Sequence, residues 1–196
     1  MNNLSDLLTI ETNNITPKKG HILISEPFLN DHYFKRSVVL LAEHNDEGSF
    51  GIIMNKPVDA GFNEMVKDFP DFNSKMFLGG PVKTDNLFFI HTHGDKVDGS
   101  ALIQDGLYWG GDVEQIKEMI TLKLIKPNEI RFYVGYSGWA SGQLEEELKR
   151  NSWVVSKMKS ESLLITDPDE LWQESLRYLG EKYSLWGRFP SEPAFN

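Results

Sequence analysis

Residues 133–146 read Tyr-Val-Gly-Tyr-Ser-Gly-Trp-Ala-Ser-Gly-Gln-Leu-Glu-Glu, and the way this stretch folds decides how the rest of the chain is arranged. Just before and into it, Ile130, Phe132 and Val134 alternate as one apolar face, the signature of a strand. The small residues from Gly135 to Gly142 predict a turn. A helix is expected to open at Gln143 and Leu144 with three glutamates near its positive end. Strand–turn–helix junctions of this kind are where α/β proteins present backbone N–H groups and reactive side chains.

Working outward, strands are expected at Gly20–Ser25, Val38–Ala42 and Phe50–Met54. The second and third are joined by the polar segment 43–49, so they should pair as a hairpin. Phe62, Met65, Val66 and Phe69 share one helical face that ends at Pro70. Lys75–Leu78, Leu87–His91 and a segment from Ala101 to Trp109, broken at Asp105-Gly106, read as further strands. Asp112 and Gln115 have capping-box spacing ahead of a helix running toward Pro127. Trp153–Val155 and Leu163–Ile165 read as strands, and Asp167, Pro168 and Glu170 open the last helix, which Gly180 stops. With no linker or charge run to divide it, the chain is expected to be α+β: one compact domain over 17–184, with mixed, largely buried sheets flanked by about four helices. Residues 1–16, with Leu4, Leu7, Leu8 and Glu11 as an amphipathic turn, form a peripheral segment, and 185–196 a tail.

Composition narrows the function classes. The 196 residues contain no cysteine, which excludes disulfides, thiolate metal sites and a cysteine nucleophile. No apolar run has the roughly 18 residues a membrane helix requires, and the N-terminus lacks the charge pattern of a secretory signal, so a cytoplasmic protein is expected. With 20 basic against 29 acidic residues the net charge is −9, which repels a nucleic-acid polyanion.

Several groups carry possible chemistry. His91-Thr92-His93-Gly94-Asp95 has the first half of a zinc-hydrolase motif. Lys96 stands where the next ligand belongs, so a polar loop is the preferred reading and no metal is assigned. Gly135-Tyr136-Ser137-Gly138 sits in the context of a nucleophile elbow, but Trp139 replaces its last glycine and no histidine follows. The 43–49 loop gathers Glu43, His44, Asp46 and Glu47, which would suit a cation or a basic peptide, but it lacks EF-hand spacing and a solvated hairpin tip is the preferred reading. Arg36, at a strand mouth, suits clamping a carboxylate or phosphate, with an internal salt bridge to one of the 29 acids the commoner explanation. Asn55-Lys56-Pro57 and Gly79-Gly80-Pro81 also end strands, the glycines permitting close backbone approach.

Taken in order, these pieces resemble the AlgH/YqgE family (UPF0301, DUF179). The resemblance rests on Gly20–Pro27, Phe34–Leu41, Glu43-His44-Asn45, Gly48, Gly51–Pro57, Leu78–Val82, His91-Thr92, Gly135–Trp139 and Gly142–Glu145, and spans about 20 to 180. The family commonly has alanine where Ser137 stands, and His93 lies outside its usual pattern. The resemblance implies a compact single-domain α/β fold, a label of transcriptional regulator without a DNA-binding motif, and no cofactor or catalytic residue to carry over. The expected function is that of a bacterial regulatory or binding protein acting through a small-molecule or protein partner. A hydrolase using Ser137 or a metal at His91 and His93, and a direct DNA-binding regulator, are the alternatives. The expected ligand site gathers Arg36, His44, Asn55, Gly79, Gly80, His91, Tyr136, Ser137 and Trp139.

Overall fold

A computed structural model describes residues 10–190, so most of the peripheral N-terminal turn lies outside the described residues. In chain order the elements are β1 (Ile22–Ser25), β2 (Val38–Asn45), β3 (Gly48–Ile53), β4 (Pro57–Gly61), α1 (Phe62–Met65), β5 (Lys75–Leu78) and β6 (Val82–His91). There follow β7 (Ala101–Gln104), β8 (Leu107–Trp109), α2 (Val113–Thr121), β9 (Ile130–Ala140), α3 (Gln143–Lys149) and β10 (Trp153–Ser156). The chain then closes with α4 (Ser160–Ile165), α5 (Pro168–Tyr178), α6 (Glu181–Ser184) and a 3-10 turn at Trp186–Arg188. The fold is α+β, as the residue pattern predicts; two of the six α-helices among the described residues are single turns of four residues.

The strand β9 is the spine. The main path of the sheet runs β10-β1-β2-β3-β9-β6-β8-β7, with β4 and β5 attached to the side of β9. Its first half, Ile130–Val134, lies between β5, which runs parallel to it, and antiparallel β6. Its second half pairs with β3, from Gly51 opposite Ser137 to Gly48 opposite Ala140. The two half-sheets therefore share one strand and enclose the largest core together, with Ile22, Leu40 and Ile52 from one and Tyr133 and Ile90 from the other. Helices α4 and α5 and Trp186 cover that core through Leu163, Leu171, Trp172 and Leu176. A second core under α2 gathers Phe62, Phe89, Ile116 and Phe132, and a third under α3 gathers Leu23, Val39, Trp139, Leu144 and Trp153.

The predicted turn from Gly135 to Gly142 is corrected here: the strand continues to Ala140 and only Ser141-Gly142 turn into α3. Gly135 serves a backbone crossing instead. The partner of β9 changes from β5 to β3 at this point, and the Gly79-Gly80 turn that ends β5 passes against it. A Cβ on Gly79 would lie 2.3 Å from the Gly135 carbonyl oxygen, and one on Gly135, at φ +70°, 2.4 Å from that of Gly80. Gly79 N–H donates to Val134 O at 2.8 Å, and Ile53 N–H donates to Gly79 O at 2.9 Å, so the crossing joins both half-sheets. Two other expectations change. Leu163–Ile165 is the end of α4 rather than a strand, because Leu163 and Leu164 bury into the first core, and a three-residue apolar run suits either element. The helix expected from Phe62 to Phe69 stops at Met65; Val66 and Phe69 still pack on the second core.

The edge of the sheet at β10 is closed by a side chain. Asn13 Nδ2 donates to Val155 O and its Oδ1 accepts from Val155 N, copying the two bonds of a neighbouring strand residue. At the other end of the chain, Asp167 caps α5 and Pro168 occupies its first turn, as their order predicts.

Candidate functional site

A polar cleft of about 370 Å³ lies where the loop before β2, the end of β3 and the start of α5 meet; Arg36, Asn55, Lys56, Asp169, Trp172 and Gln173 line it. Asn55 organises it. This side chain is 7% exposed, accepts from Val38 N at 2.8 Å and donates to Arg36 O at 2.9 Å, which fixes the peptide that carries the guanidinium. Arg36 itself has φ +52°, a left-handed conformation that a long side chain seldom adopts and that costs roughly 1–3 kcal/mol. The guanidinium lies 4.9 Å over the Trp172 ring, and the Trp172 indole N–H is anchored on Ser25 O at 3.0 Å. Arg36 Nη2 donates to the Phe189 carbonyl, while its Nε is buried without a partner.

Lys56 adds a second cation. Its ammonium donates to Lys35 O at 2.7 Å, a neutral acceptor. Burial, then repulsion by Lys35 and Arg36, holds its pKa below the usual lysine value, with Asp169 acting in the opposite sense. Burial likewise lowers the pKa of Arg36. Neither cation takes part in an ion pair among the described residues. Two desolvated cations held on neutral carbonyls leave charge for an oxyanion to satisfy, since charge-assisted bonds are about twice as strong as neutral ones.

The other expected site residues do not join this cleft. Tyr136 and Trp139 line a shallow groove of about 500 Å³ beside the β2–β3 hairpin, with Glu43, Glu47 and Phe50. His44 hydrogen-bonds Ser49 Oγ at 2.8 Å and stands 3.9 Å from Glu145 on α3. Gly79 and Gly80 form the crossing described above. Ser137 is fully buried and its hydroxyl donates to Gly79 O at 3.0 Å, so it ties the crossing down and has no open path to a substrate.

His91 sits apart near β8. His93 N–H donates to its Nδ1 at 3.2 Å, which places the proton on Nε2, and that nitrogen donates to Gly110 O at 2.9 Å. Ser100 Oγ lies 3.2 Å from the same Nε2. Burial keeps the His91 pKa below the ordinary histidine value. His93 turns to Glu129, 3.3 Å away. Both His91 nitrogens are engaged in this arrangement, and among the described residues no three His, Asp or Glu side chains gather at metal-binding range.

Lys56 and Trp172 complete the cleft. In the sequence Lys56 marks only the end of a strand, and Trp172 reads only as the buried face of a helix. The signal that could have found Lys56 is its place beside Asn55 in a polar strand end, the same setting as Arg36-Ser37.

Comparison with known proteins gives a consistent picture. Residues 22–184 match the family model described as DUF179, AlgH-like. A UPF0301 protein of Bacteroides thetaiotaomicron is 46% identical over 197 residues, covering all of both chains. A UPF0301 protein of Cytophaga hutchinsonii is 42% identical over 91% of this chain and 98% of its own. The solution structure of the AlgH protein from Pseudomonas aeruginosa superposes with a TM-score of 0.70 at 26% identity, over 93% of this chain and 100% of that one. A crystal structure of protein DIP2367 from Corynebacterium diphtheriae shares the fold, with a TM-score of 0.74 at 22% identity over 91% and 95% of the two chains.

Proposed function

This chain belongs to the AlgH-like family, and from that premise we propose that it is a bacterial cytoplasmic binding protein with a regulatory role, controlled by a small oxyanion ligand. The ligand carries a phosphate or carboxylate held between Arg36 and Lys56. One observation carries this reading: two half-buried cations share a cleft, and neither takes part in an ion pair among the described residues. Arg36 supplies a planar fork that is already stacked on Trp172, so little side-chain freedom is lost when an anion docks. Lys56 supplies a point charge that a neighbouring anion would return toward its ordinary pKa.

Direct DNA reading has less support. The two longest α-helices among the described residues carry more acid than base, with Glu114 and Glu118 against Lys117 on α2, and Asp169, Glu170 and Glu174 against Arg177 on α5. A recognition helix presents the opposite charge to the phosphate backbone. A serine hydrolase has less support still, because the Ser137 hydroxyl is buried and donates to a carbonyl.

The test is thermal denaturation of the full chain against inorganic phosphate, phosphate monoesters and dicarboxylates. A ligand at about a hundredfold its Kd adds about 2.7 kcal/mol. For a chain of this size that raises the Tm by roughly 5–10 °C. The expected result is stabilisation by a subset of these anions that disappears in Arg36→Met. No stabilisation by any of them, or equal stabilisation of the variant, would refute the proposal.

A further inference from the structure

The groove beside the β2–β3 hairpin has the opposite electrostatic character from the cleft. Phe50 and Tyr136 line it, and Trp109 and Phe88 pack behind them as one continuous aromatic cluster. Phe50 lies 4.8 Å from Tyr136 and 4.6 Å from Trp109, and Phe88 lies 5.3 Å from Trp109 and 5.7 Å from Tyr136. All four are partly exposed, and Phe50, Phe88 and Trp109 are seated on the largest core. Glu43 and Glu47, both exposed, stand on the hairpin side of the groove. Glu43 pairs with Lys19 at 2.7 Å, and the Glu47 carboxylate makes no ion pair among the described residues.

The walls are held in place before any partner arrives. The Asn45 side chain accepts from Glu47 N at 2.9 Å and shapes the hairpin tip, and Ser141 Oγ donates to Asp46 O at 2.6 Å, fastening the tip to the end of β9. Gly48, at φ +140°, crosses so close to β9 that a Cβ would stand 2.4 Å from Trp139 O. A rigid groove loses little conformational entropy on binding.

Aromatic faces carry negative potential and attract a cation, and carboxylates at the edge of the rings add to it. We propose that this groove docks an arginine-bearing segment of a partner protein, with a guanidinium over Phe50 and Tyr136 and forked against Glu47. Arginine fits better than lysine, because its plane stacks on rings while its N–H fork meets a carboxylate. The groove lies apart from the Arg36–Lys56 cleft and takes the opposite charge, so either assignment can fail while the other stands.

The experiment is a heteronuclear NMR titration of the full chain at low salt with a short blocked peptide containing two arginines. The same peptide with citrulline in place of arginine is the control, since it keeps the planar shape but replaces one guanidinium nitrogen by a carbonyl oxygen and removes the charge. The expected result is saturable shifts at Phe50, Tyr136 and the Trp109 indole, with the citrulline peptide roughly tenfold weaker. Glu47→Gln, at an exposed tip that the fold does not depend on, should weaken the arginine peptide by about threefold. Equal affinity for the two peptides, shifts confined to another surface, or no shift up to about 5 mM would overturn the assignment.

Discussion

Replacing Gly135 with alanine should be among the most damaging single-methyl changes in this chain, and the effect separates into two parts. The first is conformational: at φ +70° an alanine pays roughly 1–2 kcal/mol that glycine does not. The second is steric. The new Cβ would stand 2.4 Å from Gly80 O and 3.0 Å from Val82 O, and both are backbone atoms that cannot rotate away. Relieving that contact means moving the Gly79-Gly80 turn, which holds the bonds from Ile53 N and to Val134 O. Loss of one or two of those bonds adds roughly 1–3 kcal/mol. The sum is about 2–5 kcal/mol, a Tm drop of roughly 4–20 °C for a chain of this length. Gly142→Ala is the matched control. It has φ +76° but nothing within 4 Å of the added methyl, so only the conformational part remains, about 1–2 kcal/mol. Urea denaturation of both variants against the parent reads the difference directly. Equal losses would mean that the crossing of β9 over the Gly79 turn is not as tight as described, and the reasoning would fail.

Further outcomes follow from the same geometry. Ser137→Ala should cost only about 0.5–1.5 kcal/mol in chemical denaturation, because Gly79 O keeps its bond from Ile53 N when the hydroxyl is removed. Arg131→Met should cost more, roughly 2–4 kcal/mol by the same assay: the guanidinium is buried over Phe77 at 4.4 Å and donates to Met54 O and Leu164 O, which lose their donor together. Burial lowers the pKa of both His91 and His21, the latter helped by Lys157 and Lys18, so the unfolded chain binds protons that the folded one refuses. Their contribution is present above the unfolded pKa of about 6.5 and is lost as pH falls through that value toward the lower folded pKa values. Stability measured from pH 8 down to 5 should therefore decline, and His91→Gln should flatten part of that slope; an unchanged slope would contradict the buried neutral imidazole.

Much of the architecture was legible from residue pattern because local and tertiary preferences agree. The β2–β3 hairpin follows from two apolar runs around a polar loop, and α5 from an aspartate, a proline and a glycine at the right offsets. The stretch 133–146 misleads for a physical reason. Gly135, Ser137 and Gly138 carry turn composition, but it is the missing side chain of Gly135 that lets the Gly80 and Val82 backbone approach, and only the long-range pairing with Gly79-Gly80 shows this. The apolar run at 163–165 was too short to choose between helix and strand, and the burial of Leu163 and Leu164 in the first core, with Ile165 left exposed, decided the matter.

The site was legible in fragments. Arg36 and Asn55 were recognisable as polar residues at strand ends, and the structure brings them together through the Asn55 bond to Arg36 O. Tyr136, His44 and His91 share the same kind of position in sequence but do not share a cavity. Tyr136 belongs to the aromatic cluster with Phe50, His44 turns to Ser49 and Glu145, and His91 is engaged by His93 N and Gly110 O. Which strand ends converge depends on the order in which strands join the sheet, and no local pattern encodes that order. The contribution of α5 was hidden for the same reason, since Trp172 lies 136 positions beyond Arg36 in sequence yet carries its guanidinium.

The most direct test of the central claim is an NMR titration of the full chain with inorganic phosphate, followed at the Trp172 indole N–H and the Asn55 side-chain amide. Both groups report on Arg36, one through the stacked ring and the other through the bond to its carbonyl. An oxyanion site predicts saturable shifts of both signals with one common Kd, a loss of response in Arg36→Met, and a weakened response in Lys56→Met. A linear, unsaturated drift in the parent, or an unaltered titration in Arg36→Met, would contradict the assignment of this cleft.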